Sequence, residues 1–184
     1  MQKHEHKGKS SSVYINAHEL IAKLPITNGM HILDAGCGDG YFSIALSEKF
    51  PDSTIYAMDY NEQAIDNLNI VVKEKRLTNM QPMPGDITKD IPVKADAVIM
   101  INVLHGLVYN NEIDAAMKNT IQSLNDKGLL IIIDFYKREG IPGPSMDIKL
   151  SVDQATATLY QRGFKIVNIL QAGQYHYAIV ATKR

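Results

Sequence analysis

Apolar residues recur along this chain with two different spacings, and the alternation between them predicts helices and strands in turn. From residue 13 to residue 24, apolar side chains return every three or four positions, which is typical of a helix closed by Pro25. Short apolar runs, typical of buried strands, occupy residues 31–35, 54–58, 97–101 and 128–134, with a weaker run containing two prolines at 80–83. Further helices are predicted from residue 42 and over 61–76, 112–124 and 152–162, with a loop over 136–149.

The last two predicted strands, at 164–170 and 175–182, help to define the fold class. Only four residues connect them, which is too few for a crossover, so the two strands run antiparallel. The unbroken apolar run at 128–134 indicates a sheet that is covered on both faces. The sequence therefore predicts an α/β fold: one Rossmann-like, doubly wound domain over 1–184 with an antiparallel last strand, after a flexible tail at 1–12.

Composition and charge narrow the class of protein. Hydrophobic residues make up 45% of the 184 and charged residues 21%, as in ordinary globular proteins. The net charge of −1 disfavours a nucleic-acid partner, because proteins that bind nucleic acid usually carry a basic surface. Cys37 is the only cysteine, the amino terminus lacks the apolar core of a signal peptide, and no apolar run could span a bilayer. We expect a cytoplasmic protein without a membrane segment.

A glycine-rich turn, Gly36-Cys37-Gly38-Asp39-Gly40, joins the first strand to the next helix. Glycine lets the backbone turn sharply and approach a ligand, and the N–H groups that begin a helix favour an anionic group. A tight turn without a ligand is the alternative. The dinucleotide fingerprint has a third glycine where Tyr41 stands here, so a pyrophosphate cofactor is not favoured. We interpret Cys37 as a small packing residue and not as a nucleophile.

Three aspartates lie at predicted strand ends around this turn. Asp59 could accept hydrogen bonds from a ribose diol or cap the next helix, and Asp86 could accept from an adenine amino group or only shape a turn. Asp34 could hold an ammonium group or order the glycine turn by accepting backbone N–H bonds, and both roles stay open. A ligand with an ammonium, a ribose and an adenine would satisfy all three, and S-adenosylmethionine is such a ligand.

With these residues placed, the chain resembles the class I S-adenosylmethionine-dependent methyltransferases over about residues 26–135. The segment Ile32–Gly40 is similar to that family's first motif, Tyr56–Asp59 to its ribose-binding strand end, and Gly85–Ile87 to its adenine-binding motif. The segment Ile101–His105 resembles the fourth-strand motif of the small ubiquinone/menaquinone-biosynthesis-type (methyltransferase type 11/25-like) subgroup.

The resemblance implies a seven-stranded sheet with an antiparallel last strand and S-adenosylmethionine as cofactor. No sequence similar to Asn-Pro-Pro-Tyr follows the fourth strand, which weakens the case for a nucleobase amino group as acceptor. The residues predicted to bind the cofactor are Asp34, Gly36, Cys37, Gly38, Gly40, Asp59, Tyr60, Asp86, Ile87 and Asn102.

Methyl transfer from a sulfonium needs a base only when the attacking atom must lose a proton. His105, just past the fourth strand, is the candidate base, although a packed or helix-capping histidine is an equally ordinary role. Tyr14 and His18 lie one turn apart on the first predicted helix, which is a candidate lid. The residues predicted to line the acceptor site, with ordinary packing as their alternative, are Tyr14, His18, His105, Asp134, Tyr136, Tyr175 and His176.

The leading interpretation is a methyltransferase that acts on a small molecule. A protein or tRNA acceptor, and a non-catalytic cofactor-binding module of a complex, are the alternatives, while a nucleotide-dependent oxidoreductase is disfavoured by the glycine spacing. We expect no metal site, because His4 and His6 are more simply solvated residues of the tail. The oligomeric state stays open, with a homodimer as one option.

Overall fold

The computed structural model describes residues 10–184 of the chain. Most of the predicted tail at 1–12, with His4 and His6, lies outside the described residues. The part of the tail inside them is ordered, because Ser10 begins a 3₁₀ turn over Ser11–Val13 and its hydroxyl accepts a hydrogen bond from the backbone N–H of Ser12.

Seven strands and six α-helices follow. The strands are β1 His31–Ala35, β2 Thr54–Asp59, β3 Met80–Pro84, β4 Ala95–Ile101, β5 Leu124–Phe135, β6 Phe164–Gln171 and β7 His176–Lys183. The helices are α1 Ala17–Ile21, α2 Tyr41–Lys49, α3 Glu62–Lys75, α4 Leu104–Tyr109, α5 Ile113–Ser123 and α6 Val152–Gln161.

All seven strands form one sheet in the order β3-β2-β1-β4-β5-β7-β6. The first five strands along the chain are parallel, whereas β7 runs antiparallel to both β5 and β6. The order changes direction at β1, so the carboxyl ends of β1 and β4 flank the position where doubly wound sheets bind ligands. The predicted fold class, including the antiparallel last strand, is confirmed.

The sheet is covered on both faces, as the apolar run in β5 predicts. On one face α1, α2 and α3 pack through residues such as Leu20, Leu46 and Leu68. On the other face α4, α5 and α6 pack through residues such as Leu104 and Leu159. Within residues 10–184, no helix combines the length and the apolar character needed to cross a bilayer.

The single helix predicted over 13–24 is wrong. The structure has the 3₁₀ turn, a break, and then the five-residue α1. Asn16 explains the break, because its backbone is extended and its side chain accepts a hydrogen bond from Glu19 N–H, which starts a new helix. Apolar periodicity alone continues through such a capping residue and does not reveal it.

Two further boundaries differ from the prediction. α4 was not predicted, because six residues that include Gly106 are too few to establish a helical period. β5 begins at Leu124, which pairs with Ala95 before a register shift, so the predicted helix over 112–124 ends one residue earlier.

Candidate functional site

The glycine turn is held tightly at the carboxyl end of β1. The backbone N–H groups of Gly36 and Cys37 both donate to the carbonyl of Met58, at 2.8 and 3.0 Å. Gly36 has φ +83°, and a Cβ there would lie 2.6 Å from Cγ2 of Val103. Only glycine therefore lets the turn pack against the segment that follows β4.

One side of the turn is open. Gly38 has φ +56°, and an added Cβ would meet no heavy atom within 4 Å. Its N–H donates to Oδ2 of Asp59 at 2.8 Å, so the backbone of Gly38 is held in place even though its Cβ side is open. A ligand can approach the main chain closely at this point.

Asp59, at the end of β2, organises the turn. Besides Gly38 it accepts a hydrogen bond from the N–H of Asn61 at 2.9 Å, through Oδ1, and the residue is buried. Two carboxylate oxygens offer about four acceptor positions in all, so this carboxylate can still accept hydrogen bonds from a ligand. The loop-ordering role considered for Asp34 is therefore filled by Asp59, a contact that was not predicted from the sequence.

Asp34 lies beneath the turn with only 1% of its surface exposed. Its Oδ2 accepts a hydrogen bond from the hydroxyl of Ser43 at 2.5 Å, while Oδ1 has no hydrogen-bond partner. Burial raises the pKa of Asp34 to about 7; the Ser43 hydrogen bond opposes this, and the carboxylates of Asp59 and Asp39 add to it. A buried acidic oxygen without a partner suits a cationic group, and the ammonium of S-adenosylmethionine fits this requirement.

Asp86 follows β3 at the same edge of the sheet. The N–H of Gly85 donates to the main-chain carbonyl of Asp59 at 2.9 Å, which places Asp86 next to the end of β2. Although burial acts to raise it, the pKa of Asp86 is held below its ordinary value by hydrogen bonds from Thr88 and by the nearby Lys89. The three acids thus lie at neighbouring strand ends, as the prediction requires.

Two apolar side chains flank this edge. Tyr60 follows β2 and leaves 61% of its surface exposed, and Ile87 follows Asp86 and is buried. An exposed tyrosine beside an acidic strand end offers a flat apolar surface on which an adenine can stack. Gly40 and Cys37 were also predicted to bind the cofactor, and both are buried residues of the turn.

Asn102, at the end of β4, has an unusual backbone with φ +59°. Its N–H donates to the carbonyl of Ile133 at 2.8 Å, and its Oδ1 lies 3.0 Å from Nε2 of His176 at the start of β7. Asn102 therefore connects the segment beside the glycine turn to the opposite half of the sheet.

His105 and Asp134 form a buried pair, with exposed fractions of 2% and 1%. Nδ1 of His105 lies 2.7 Å from Oδ1 of Asp134, and the backbone N–H of His105 donates to Oδ2 at 3.1 Å. Asp134 thus fixes the imidazole and also satisfies an N–H group in the first turn of α4. Both roles considered for His105, packing and base chemistry, are compatible with this geometry.

Four rings form a cluster at the carboxyl end of β5, which we call the aromatic cluster: Tyr14, Phe135, Tyr175 and His176. The rings of Phe135 and His176 lie 4.0 Å apart, and Tyr14 is edge-on to Phe135 at 5.5 Å and to Tyr175 at 6.1 Å. Phe135 was not predicted as a site residue, because nothing in an apolar strand end distinguishes a ring at a site from a ring in the core.

Two residues predicted for the acceptor site, His18 and Tyr136, lie outside the aromatic cluster. Tyr14 and His18 do not share a helix, since Tyr14 ends the 3₁₀ turn and His18 is an exposed residue of α1. Tyr136 packs at 5.6 Å against Tyr177 on the face of the sheet that α4 covers, opposite the aromatic cluster, and the Arg138 guanidinium lies 4.3 Å from the centre of its ring. The predicted pairing of Tyr14 with His18 is therefore wrong.

A surface hollow of about 380 Å³ occurs at the opposite, amino end of the strands, lined by residues that include His31, Tyr56 and Lys94. Its lining residues are exposed or half-buried, and none of the selected acids is among them. Within the described part of the chain, no group of three or more histidine, cysteine or acidic residues could hold a metal ion. The chemistry is concentrated instead at the carboxyl edge.

Comparison with known proteins identifies the family to which the chain is similar. A family described as "Methyltransferase domain" matches residues 26–178. A crystal structure of a SAM-dependent methyltransferase from Aquifex aeolicus superimposes with a TM-score of 0.84 at 21% identity, covering 95% of this chain and 93% of that one.

Curated relatives are similar over shorter stretches. Protein YbxB of Bacillus subtilis is 25% identical over 74% of this chain and 67% of its own length. A trans-aconitate 2-methyltransferase of Delftia acidovorans is 28% identical over 41% of this chain and 30% of its own length. A ribosomal protein L11 methyltransferase of Caldanaerobacter subterraneus is 30% identical over 59% of this chain and 33% of its own length. The chain therefore spans about a third of the two relatives that are named as methyltransferases.

Proposed function

This chain belongs to the methyltransferase domain family and is a methyltransferase that depends on S-adenosylmethionine, and we propose that its acceptor is a small molecule. The observation that carries the assignment of the site is Oδ1 of Asp34, a buried carboxylate oxygen without a partner beneath a glycine turn. A buried acidic group of this kind costs free energy unless a ligand completes it.

Each part of the cofactor would be bound by a different set of neighbouring residues. Asp34 would face the ammonium, Asp59 would accept hydrogen bonds from the ribose hydroxyls, and Tyr60 and Ile87 would hold the adenine. The open side of Gly38 lets the ligand approach the main chain. When bound, S-adenosylmethionine supplies an electrophilic methyl group that needs no further activation.

The protein contributes to the reaction by orienting the acceptor and excluding water. A methyl acceptor must approach in line with the bond that breaks, so its orientation governs the rate. The aromatic cluster provides an apolar wall at the carboxyl end of β5, next to Asn102. Where the attacking atom loses a proton, His105 would be the residue that takes it, with its ring held by Asp134.

Charge and size support a small acceptor. The net charge of −1 provides no general attraction for nucleic acid. Among the described residues, the loop between β5 and α6 covers only residues 136–151 and is too short to form a substrate domain. The relative that acts on trans-aconitate agrees with this proposal, and the relative that acts on ribosomal protein L11 keeps a protein acceptor as the alternative.

Calorimetric titration tests the cofactor site. We expect S-adenosylhomocysteine to bind and NAD not to bind. Asp59→Ala should weaken binding by about 2 kcal/mol, which is roughly 30-fold, because charged hydrogen bonds to the ligand are lost. Asp126→Ala removes an exposed acid at the other end of the sheet and should leave the affinity unchanged. Equal affinity of the wild type and Asp59→Ala would contradict our placement of the ribose.

A labelled methyl group tests the acceptor. The protein is incubated with methyl-labelled S-adenosylmethionine and a cell extract separated into metabolites, protein and RNA. Label in the metabolite fraction supports the proposal. Label in protein or RNA would replace it with the corresponding acceptor, and cofactor binding without transfer to any fraction would favour a non-catalytic module.

A further inference from the structure

His176 is a buried histidine with one satisfied and one unsatisfied ring nitrogen. None of its surface is exposed, Nε2 lies 3.0 Å from Oδ1 of Asn102, and Nδ1 has no hydrogen-bond partner. Because the amide oxygen can only accept, Nε2 carries the proton and Nδ1 presents a lone pair. Leaving a buried acceptor unpaired costs free energy, and such groups in folded proteins call for an explanation.

The surroundings of this ring are apolar and flat. The Phe135 ring centre lies 4.0 Å from that of His176, and Tyr14 lies 6.5 Å away while it is also edge-on to Phe135. Burial lowers the pKa of His176 to about 4, with Asp134 opposing and His105 adding to the change, so the ring is neutral near pH 7. A neutral acceptor nitrogen among aromatic rings suits an uncharged donor group on a planar molecule.

The contact between Nε2 of His176 and Asn102 places the imidazole ring near the glycine turn. Val103, the residue after Asn102, packs against Gly36 so closely that a Cβ on Gly36 would lie 2.6 Å from it. His176, Asn102, Val103 and the glycine turn therefore form a continuous set of contacts.

We propose that His176 positions the methyl acceptor, which is a planar aromatic molecule whose O–H or N–H donates a hydrogen bond to Nδ1 and whose ring packs against Phe135. This inference rests on the proposed function and specifies the acceptor class for the same site. Because His176 is fully buried, one of the neighbouring rings must move before the acceptor reaches it. Tyr14 is suited to this movement, since it lies between the 3₁₀ turn and α1 and is only partly buried.

Nitrogen-15 NMR of histidine-labelled protein tests the proposal on the wild type. With S-adenosylhomocysteine present, the protein is titrated with 2-naphthol and with 2-methoxynaphthalene, which has the same ring but no donor. We expect an unprotonated Nδ1 and a protonated Nε2 in the free protein. 2-Naphthol should shift the Nδ1 signal and bind roughly 3- to 10-fold more tightly than its methyl ether, as one neutral hydrogen bond predicts.

A matched pair of variants assigns the effect to this histidine. His176→Gln keeps an amide that can donate to Asn102 but offers no acceptor where Nδ1 lies, so the preference for 2-naphthol should disappear. His31→Gln makes the same change at an exposed histidine and should keep the preference. S-adenosylhomocysteine affinity, measured on each variant, reports whether the cofactor site is intact.

Three results would overturn the inference: a proton on Nδ1, equal binding of the two probes, or no binding of 2-naphthol to the wild type. None of the three needs a variant, so they hold even if His176→Gln fails to fold. Normal binding of S-adenosylhomocysteine with an unresponsive His176 refutes this inference alone. A wild type that does not bind S-adenosylhomocysteine refutes the proposed cofactor site itself.

Discussion

The substitution Gly38→Ala tests whether Gly38 contacts the ligand or only permits the turn. Gly38→Ala places a Cβ on the open side of the cofactor turn, where no protein atom lies within 4 Å. Gly29→Ala is the matched control, because Gly29 also has a positive φ, at +91°, and also has nothing within 4 Å of an added Cβ. Gly29 precedes β1 and so lies at the opposite end of that strand.

The structure gives a magnitude for each effect. A left-handed backbone costs an alanine about 1–2 kcal/mol, and the reduced freedom of the unfolded chain offsets about 0.4–1 kcal/mol of that. Both variants should therefore lose roughly 1 kcal/mol of unfolding free energy. Only Gly38→Ala should lose cofactor affinity, because the new methyl group occupies the space through which the ligand approaches. Loss of one charged hydrogen bond corresponds to about 1.5–3 kcal/mol, or roughly 10- to 150-fold.

Urea denaturation gives the stability of the two variants, and calorimetry with S-adenosylhomocysteine gives the affinity. Wild-type affinity in Gly38→Ala would show that the cofactor does not approach the open side of the turn. Equal loss of affinity in Gly29→Ala would show that general destabilisation, and not contact with the ligand, is the cause.

Three further changes test the electrostatics and the backbone of the fold. Asp34 has a raised pKa of about 7, so the folded state holds its proton more tightly; the stability of the wild type in urea relative to Asp34→Asn should fall as the pH rises from about 4 to about 7, whereas the opposing contribution of His176, with its pKa of about 4, is common to both proteins and cancels in the difference. Asp134→Ala leaves the buried ring and N–H of His105 without this acceptor and should cost about 2–5 kcal/mol of unfolding free energy; a loss below about 1 kcal/mol would contradict the pairing. Arg76→Gly should stabilise the protein by about 0.5–1 kcal/mol, seen as a higher Tm, because Arg76 ends α3 exposed and with φ +56°.

The sheet could be predicted because its signals are local. The apolar run in β5, the four-residue connection before β7 and the polar residues at each strand end all occur within short stretches of sequence. The N-terminal segment could not be predicted, because Asn16 interrupts an apolar period that otherwise reads as one helix. α4 was missed for the related reason that a helix of six residues is shorter than two turns of its own period.

The acidic side of the site could be predicted because parallel strands bring their carboxyl ends to one edge. Asp34 and Asp59 end neighbouring strands, and the register places Asp59 opposite Pro84, two residues before Asp86. The contacts that give these residues their properties are tertiary. Ser43 meets Asp34 through the orientation of α2, and Asn102 meets His176 across 74 residues of sequence, so neither pairing has a signal in the sequence.

The assignment of the cofactor site depends most on the convergence of the carboxyl ends of β1, β2 and β3 on one adenosyl ligand. A crystal structure of the protein with S-adenosylhomocysteine measures this directly. We predict hydrogen bonds from the ribose hydroxyls to Asp59, the ligand ammonium next to Asp34, and the adenine between Tyr60 and Ile87. A ligand bound elsewhere, for example in the hollow beside His31, would contradict the account.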